Sequence, residues 1–183
     1  MKFLCYLLPV SLLLLAGCAM PVTPRYSVSA KNVVELRDLY GTSPNKIKVG
    51  EITSSNQTGI FCRLAEIQIP DGLTMAAYVK NSFSDELKLA GVYSDKSSNE
   101  VRVKILNLDV DCNIGTGNWI TEMEITIGKS DPFTVKNIYN FEGAYMGTVA
   151  YNNAQQSLVS ALQDFYGLII KHPNFAVAFN TIK

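Results

Sequence analysis

The sequence predicts an α+β domain of two layers. A mainly antiparallel sheet of four or slightly more strands is expected, with two helices packed on one face. Three observations carry this. Residues 74–90 and 152–171 repeat apolar side chains at helical spacing. Between them, 100–112, 118–128 and 133–143 alternate apolar and polar residues, the mark of half-buried strands. Short turns join these strands, which suits an antiparallel meander. A doubly wound parallel sheet needs oilier strands and more crossovers.

The elements follow in chain order. Asn32 to Tyr40 places Val33, Val34, Leu36 and Leu39 for one or two turns of helix. "GTSPN" (41–45) is a turn cluster. "KIKVGEIT" (46–53) alternates as a strand, with Ile47 and Val49 on one side and Glu51 next in phase. "SSNQTG" (54–59) is a loop, and "FCRLAEIQI" (61–69) reads as a second extended piece. Pro70-Asp71-Gly72 turns into a helix over Thr74–Ala90. Its stripe is Met75, Val79, Phe83, Leu87 and Ala90, with Asp85, Glu86 and Lys88 away from it. Gly91 closes this helix in the left-handed C′ position.

In "EVRVKILNLDVDC" (100–112) the apolar phase slips after Ile105, which predicts a β-bulge or a change of buried face. "CNIGTGN" (112–118) suits a hairpin turn. "NWITEMEITIG" (118–128) buries Trp119, Met123, Ile125 and Ile127, and leaves Glu122 and Glu124 on a wet face. "FTVKNIYNFEG" (133–143) groups Phe133, Val135, Tyr139 and Phe141. The last helix, 152–171, buries Leu158, Ala161, Leu162, Phe165 and Ile169, and ends before Pro173. "NFAVAF" (174–179) is a short apolar tail that docks.

Composition bounds the role. Sixteen basic residues balance sixteen acidic ones. No basic excess exists to hold phosphate backbones, so nucleic acid is not an expected partner. Residues 1–17 read as a signal peptide. Lys2 precedes thirteen apolar residues, Phe3 to Leu15, too few to span a bilayer, and Pro9 would break a buried helix.

Leu15-Ala16-Gly17-Cys18 resembles the lipobox of bacterial lipoproteins. The resemblance implies that the Cys18 sulfur takes a diacylglycerol group, that cleavage makes Cys18 the N-terminus, and that its amine is acylated. Several acyl chains on one residue hold firmly where one holds marginally. Ala19 stands where aspartate would favour the inner membrane, which implies the outer membrane of a Gram-negative cell, facing the periplasm. Residues 18–31 then form the lipidated cysteine and a tether. Fully extended, its 13 residues after Cys18 span about 45 Å. Residues 32–183 make the periplasmic domain. Cys62 and Cys112 remain, an even pair in an oxidising space. A disulfide is expected, with two separate buried thiols as the alternative. A bridge would close a loop of about 51 residues and contribute roughly 4 kcal/mol on the chain-entropy model.

Catalytic and metal chemistry finds little support. His172, next to Pro173, reads as a cap on a helix C-terminus. Asp109 and Asp111 lack further oxygen donors for Ca²⁺. Glu122 and Glu124 are neighbours on a strand face and do not flank a cleft. "GTGN" (115–118) lacks the lysine and helix of a phosphate loop. No metal, cofactor or enzyme activity is expected. "GAYMGTVAYNNAQQ" (143–156) carries Tyr145, Met146 and Tyr151 among small residues, between the last strand and the last helix. Such residues suit an interface as well as the bottom of a core.

"FSDELKLAGVY" (83–93), "LNLDVDCNIGTGNW" (106–119) and "YNFEGAYMGTVAYNNAQQSLVSALQDF" (139–165) resemble the YajG-like family of small Gram-negative lipoproteins. The likeness rests on Gly91 to Tyr93, Glu142 to Ala144 and Asn152 to Asn153, and it implies no catalytic residue. The layout is also similar to lipoproteins that assist lipid-transport or cell-wall machines. The expected function is an outer-membrane-anchored accessory protein that binds an envelope protein partner. The alternative is a carrier of lipid or a small apolar ligand, with a cell-envelope hydrolase behind both.

Overall fold

A computed structural model describes residues 22–55 and 59–181. The expected signal peptide, Cys18 and the first residues of the expected tether lie outside them. The elements are α1 (Ala30–Tyr40), β1 (Lys48–Ser54), β2 (Phe61–Cys62), β3 (Ala65–Glu66), α2 (Met75–Ala90), β4 (Glu100–Asp111), β5 (Thr116–Ile127), β6 (Phe133–Glu142), α3 (Gly147–Lys171) and α4 (Pro173–Thr181). The class is α+β. A four-stranded sheet runs in the order β1-β4-β5-β6, and β2 and β3 make a small second sheet.

Two parts of the expected architecture need correction. The large sheet is mixed: β4, β5 and β6 form the antiparallel meander, but β1 pairs with β4 in parallel. A parallel pair requires a long crossover, and α2 supplies it. Alternation along a strand gives its buried face and says nothing of its direction. There are also four helices among the described residues where two were expected. The segment at 32–40 gains a full helix because the Ser29 hydroxyl accepts the Asn32 N–H at its start. The apolar tail becomes α4, since Pro173 ends α3 and then serves as the first residue of the next helix. α4 buries Phe175 and Phe179, whose rings lie 5.5 and 4.7 Å from the Tyr40 ring.

Local signals explain most element ends. The Thr74 hydroxyl accepts the Ala77 N–H and opens α2, and Gly91, at φ 78°, closes it in the left-handed conformation. In β4 the register against β5 shifts between Ile105 and Asn107, at the predicted slip of phase. A second shift, between Val49 and Ile52 in β1, turns Glu51 outward and Ile52 inward. Glu51 therefore leaves the face on which simple alternation put it.

Along β5 every second residue from Trp119 to Ile127 is buried against the helices, while Ile120, Glu122, Glu124 and Thr126 line the opposite, partly open face. Trp119 sits at the centre, fully buried. Its indole N–H donates to the Ala154 carbonyl and the Ser157 hydroxyl, both at 3.1 Å, which fixes α3 across the sheet. The predicted stripe of α3 is buried throughout.

Residues 22–29, expected as the end of a tether, run extended along the helices. Thr23 is buried; its N–H donates to the Gln68 carbonyl and its hydroxyl to Gln155 Oε1. The Tyr78 hydroxyl donates to the Pro24 carbonyl, and the Gln163 amide to the Ser27 carbonyl. Arg25 makes a two-pronged ion pair with Asp71. The Tyr26 hydroxyl and the Ser29 N–H both donate to Glu86 Oε1. This strap also corrects Glu86, expected on the solvent side of α2. It is buried because the strap covers a flank of the helix that the apolar stripe does not reach.

Burial pushes the Glu86 carboxyl above its usual value, against hydrogen bonds that favour the charged form. The native state therefore holds this proton more tightly than the unfolded chain does. The stabilisation is complete below the ordinary value of 4.5 and is lost as pH rises through the elevated native value. Glu86→Gln keeps an acceptor for Tyr26 and Ser29 and removes the titration. In thermal melts across pH, wild type should lose stability relative to Glu86→Gln over that window. Parallel profiles would contradict the assignment.

Candidate interaction surface

Three loops meet at the end of the sheet where α3 begins: the β2–β3 hairpin, the β4–β5 turn and the β6–α3 connection. Cys62 and Cys112 form the expected disulfide, with Cα atoms 5.5 Å apart, and so pin the hairpin to the end of β4. Arg63, the next residue, has φ 58°, an uncommon backbone state for a side chain of its size. Its guanidinium donates to the carbonyls of Cys112 at 3.2 Å, Tyr145 at 3.0 Å and Ala144 at 2.6 Å. The fork of donors on arginine suits such a clamp better than a lysine point charge does. A backbone bond from Gly143 N–H to the Gly115 carbonyl closes the third side. Gly143 has no room for a side chain, because a Cβ would lie 2.3 Å from the Asn113 carbonyl oxygen.

The clamp leaves apolar side chains standing in solvent. Leu64 is 98% exposed, Tyr145 82%, Ile114 68%, Met146 64% and Val149 41%. Other exposed apolar residues lie on the strap (Val22), in β2 (Phe61), on the helices and on β6, as is ordinary for a protein surface. Of the three residues singled out in the sequence, the structure brings Tyr145 and Met146 into this cluster and removes Tyr151. Helix α3 starts at Gly147, so Tyr151 lies within it, 4% exposed, with its hydroxyl donating to the Glu66 carbonyl. Tyr151 belongs to the packing. Leu64 and Ile114 were missed. Their signal was an apolar residue inside a polar or glycine-rich turn, where no core stripe accounts for it.

The other candidate groups are engaged elsewhere. His172 ends α3, stacks on the Phe133 ring at 4.5 Å, and accepts the Asn174 N–H through Nδ1 at the start of α4. Glu122 pairs with Lys136 at 2.9 Å on the open sheet face. Asp109 accepts the Val110 N–H and Asp111 the Asn113 amide. Among the described residues no three metal-ligating side chains converge. A groove of about 820 Å³ runs between residues 59–76 and β4, lined by Ile60, Phe61, Ile67, Leu73, Met75 and Leu108. A depression of about 680 Å³ outside β1 and α2 is edged by charged residues, including Lys48, Glu51, Lys80 and Glu100.

Two outcomes test the clamp. Alkylating free thiols before reduction should leave Cys62 and Cys112 unmodified, whereas modification at either would dismiss the bridge. Arg63→Ala removes three hydrogen bonds at the exposed loop junction and should lower stability by about 1 kcal/mol in denaturant titration. Arg63→Lys should recover only part of that loss, because a lysine cannot reproduce the fork.

No family model matches the chain, and no curated protein sequence does. One solved structure, described as the crystal structure of an uncharacterized protein, superimposes with a TM-score of 0.40 at 10% identity, over 69% of this chain and 87% of its own. A likeness at that level carries no argument about function.

Proposed function

We propose that the chain is an outer-membrane-anchored periplasmic lipoprotein with a non-enzymatic accessory role, exercised by binding a protein of the cell envelope. The observation that carries this reading is the sequence Leu15-Ala16-Gly17-Cys18 behind a short apolar leader, followed by a domain whose remaining cysteines are oxidised to one disulfide. A structural disulfide suits an oxidising compartment such as the periplasm. The YajG-like resemblance points the same way. His172 is engaged in a cap and a ring stack, and Glu122 in a strand-face ion pair. The interior between helices and sheet is filled by large side chains, including Trp119, Phe83, Phe165, Phe175 and Tyr166. Binding at the surface is what such a domain offers.

The carrier reading keeps one specific support, the apolar groove beside β4. Leu108→Trp would narrow it. If the protein is a carrier, this change should abolish co-purification of lipid, and if it is an accessory protein it should leave partner binding intact.

The anchor is tested directly. Cys18→Ala should accumulate as a precursor that does not label with palmitate, and wild type should label and sediment with the outer membrane. Labelling of the variant would sink the lipoprotein assignment. For the role, photocrosslinkers at Ile138 on the open sheet face and Val177 on α4 should capture a discrete protein. Lipid alone at both positions would favour the carrier.

A further inference from the structure

We infer that the apolar cluster of Leu64, Ile114, Tyr145, Met146 and Val149 is a membrane-contact face that rests in the lipid surface to which the chain is anchored. The inference depends on the lipoprotein reading of Cys18 and adds the orientation of the domain.

The argument begins with the strap. Ser27 is held by Gln163 and Thr23 by Gln155, so the strap runs along α3 toward the N-terminal end of that helix. Eight residues of helix separate those two holding points, about 12 Å at 1.5 Å per residue. A further eight separate Gln155 from Gly147, the first residue of α3, again about 12 Å. From Thr23 back to Cys18 the chain has five residues, which reach at most about 17 Å. Cys18 can therefore reach the level of the start of α3 with only a few ångströms to spare. Residues 22–29, part of the expected tether, are docked as the strap, so only the short stretch before Thr23 is left to set the distance between the domain and Cys18. A lipid on Cys18 brings the nearest end of the domain to the lipid surface, and that end carries the exposed cluster.

The chemistry of the cluster matches this placement. Four apolar side chains from three separate loops, and Val149 in the first turn of α3, gather around the clamp, a concentration that marks a contact site. Tyrosine places a ring in the interfacial layer while its hydroxyl stays wet. Arg63 is exposed but spends its donors on three carbonyls, and the flanking charges are acidic, Asp111 and Glu142, both exposed. The contact is therefore apolar in origin and does not depend on anionic lipid.

The test uses the full-length lipidated protein in its own membrane. A benzophenone side chain replaces Tyr145, and Ile138 on the sheet face serves as the control. Illumination should give phospholipid adducts from position 145 at about ten times the yield from 138, unchanged by raised salt. Palmitate labelling of the same samples reports the anchor independently. Labelled protein with equal lipid yields at the two positions, or with a discrete protein adduct from 145, overturns the inference and leaves the lipoprotein reading standing. Protein without palmitate overturns both.

Discussion

One buried oxygen joins three parts of the chain. Gln155, in the third turn of α3, has no exposed surface, and its Oε1 accepts both the Thr23 hydroxyl and the Gln68 N–H at 2.9 Å. The strap, the segment behind the β2–β3 hairpin and the longest helix meet there. A buried donor left without its acceptor costs about 1–3 kcal/mol. Moving any one segment would leave such a group in the others. The course of the strap, the seating of the hairpin and the position of the loops at that end are therefore set together.

The same logic repeats along the strap. Glu86 accepts from Tyr26 and Ser29, and Asn32 donates to the Gln163 carbonyl at 2.8 Å. Each is a polar group taken out of water and given a partner, Glu86 from the strap and the start of α1, Asn32 from α3. A stretch without apolar periodicity is ordered in this way by side chains that belong to other elements. The arrangement also concerns placement, because the strap is the first described part of the chain after Cys18. If that cysteine carries lipid, fixing the strap fixes how the domain sits on the membrane.

The division of labour across the sheet follows from its one-sided burial. The inner face takes Trp119 and packs against α2, α3 and α4, with α1 lying on α2 and α3. The outer face carries Arg102 and the facing pairs Lys104–Glu124 and Glu122–Lys136, a pattern that keeps an uncovered sheet wet. Distinct chemistry is concentrated in the loops, where the disulfide and Arg63 hold apolar side chains outward against the hydrophobic effect.

Much of this was legible in the chain itself. Helical spacing along 74–90 and 152–171, alternation in β4, β5 and β6, the slip after Ile105, the cap at Gly91 and the pairing of Cys62 with Cys112 all arise from residues close in sequence or from cysteine chemistry alone. Tertiary structure decided the parallel course of β1, the burial of Glu86 and Tyr151, the docking of residues 22–29, and the meeting of Tyr145 and Met146 with Leu64 and Ile114. These depend on partners far away along the chain: Thr23 and Gln155 are 132 residues apart, Tyr26 and Glu86 60, and Arg63 and Tyr145 82. Periodicity records which side of an element is buried. It cannot record which distant hydrogen-bonding group will cover a polar residue, because that pairing exists only once the chain has closed on itself.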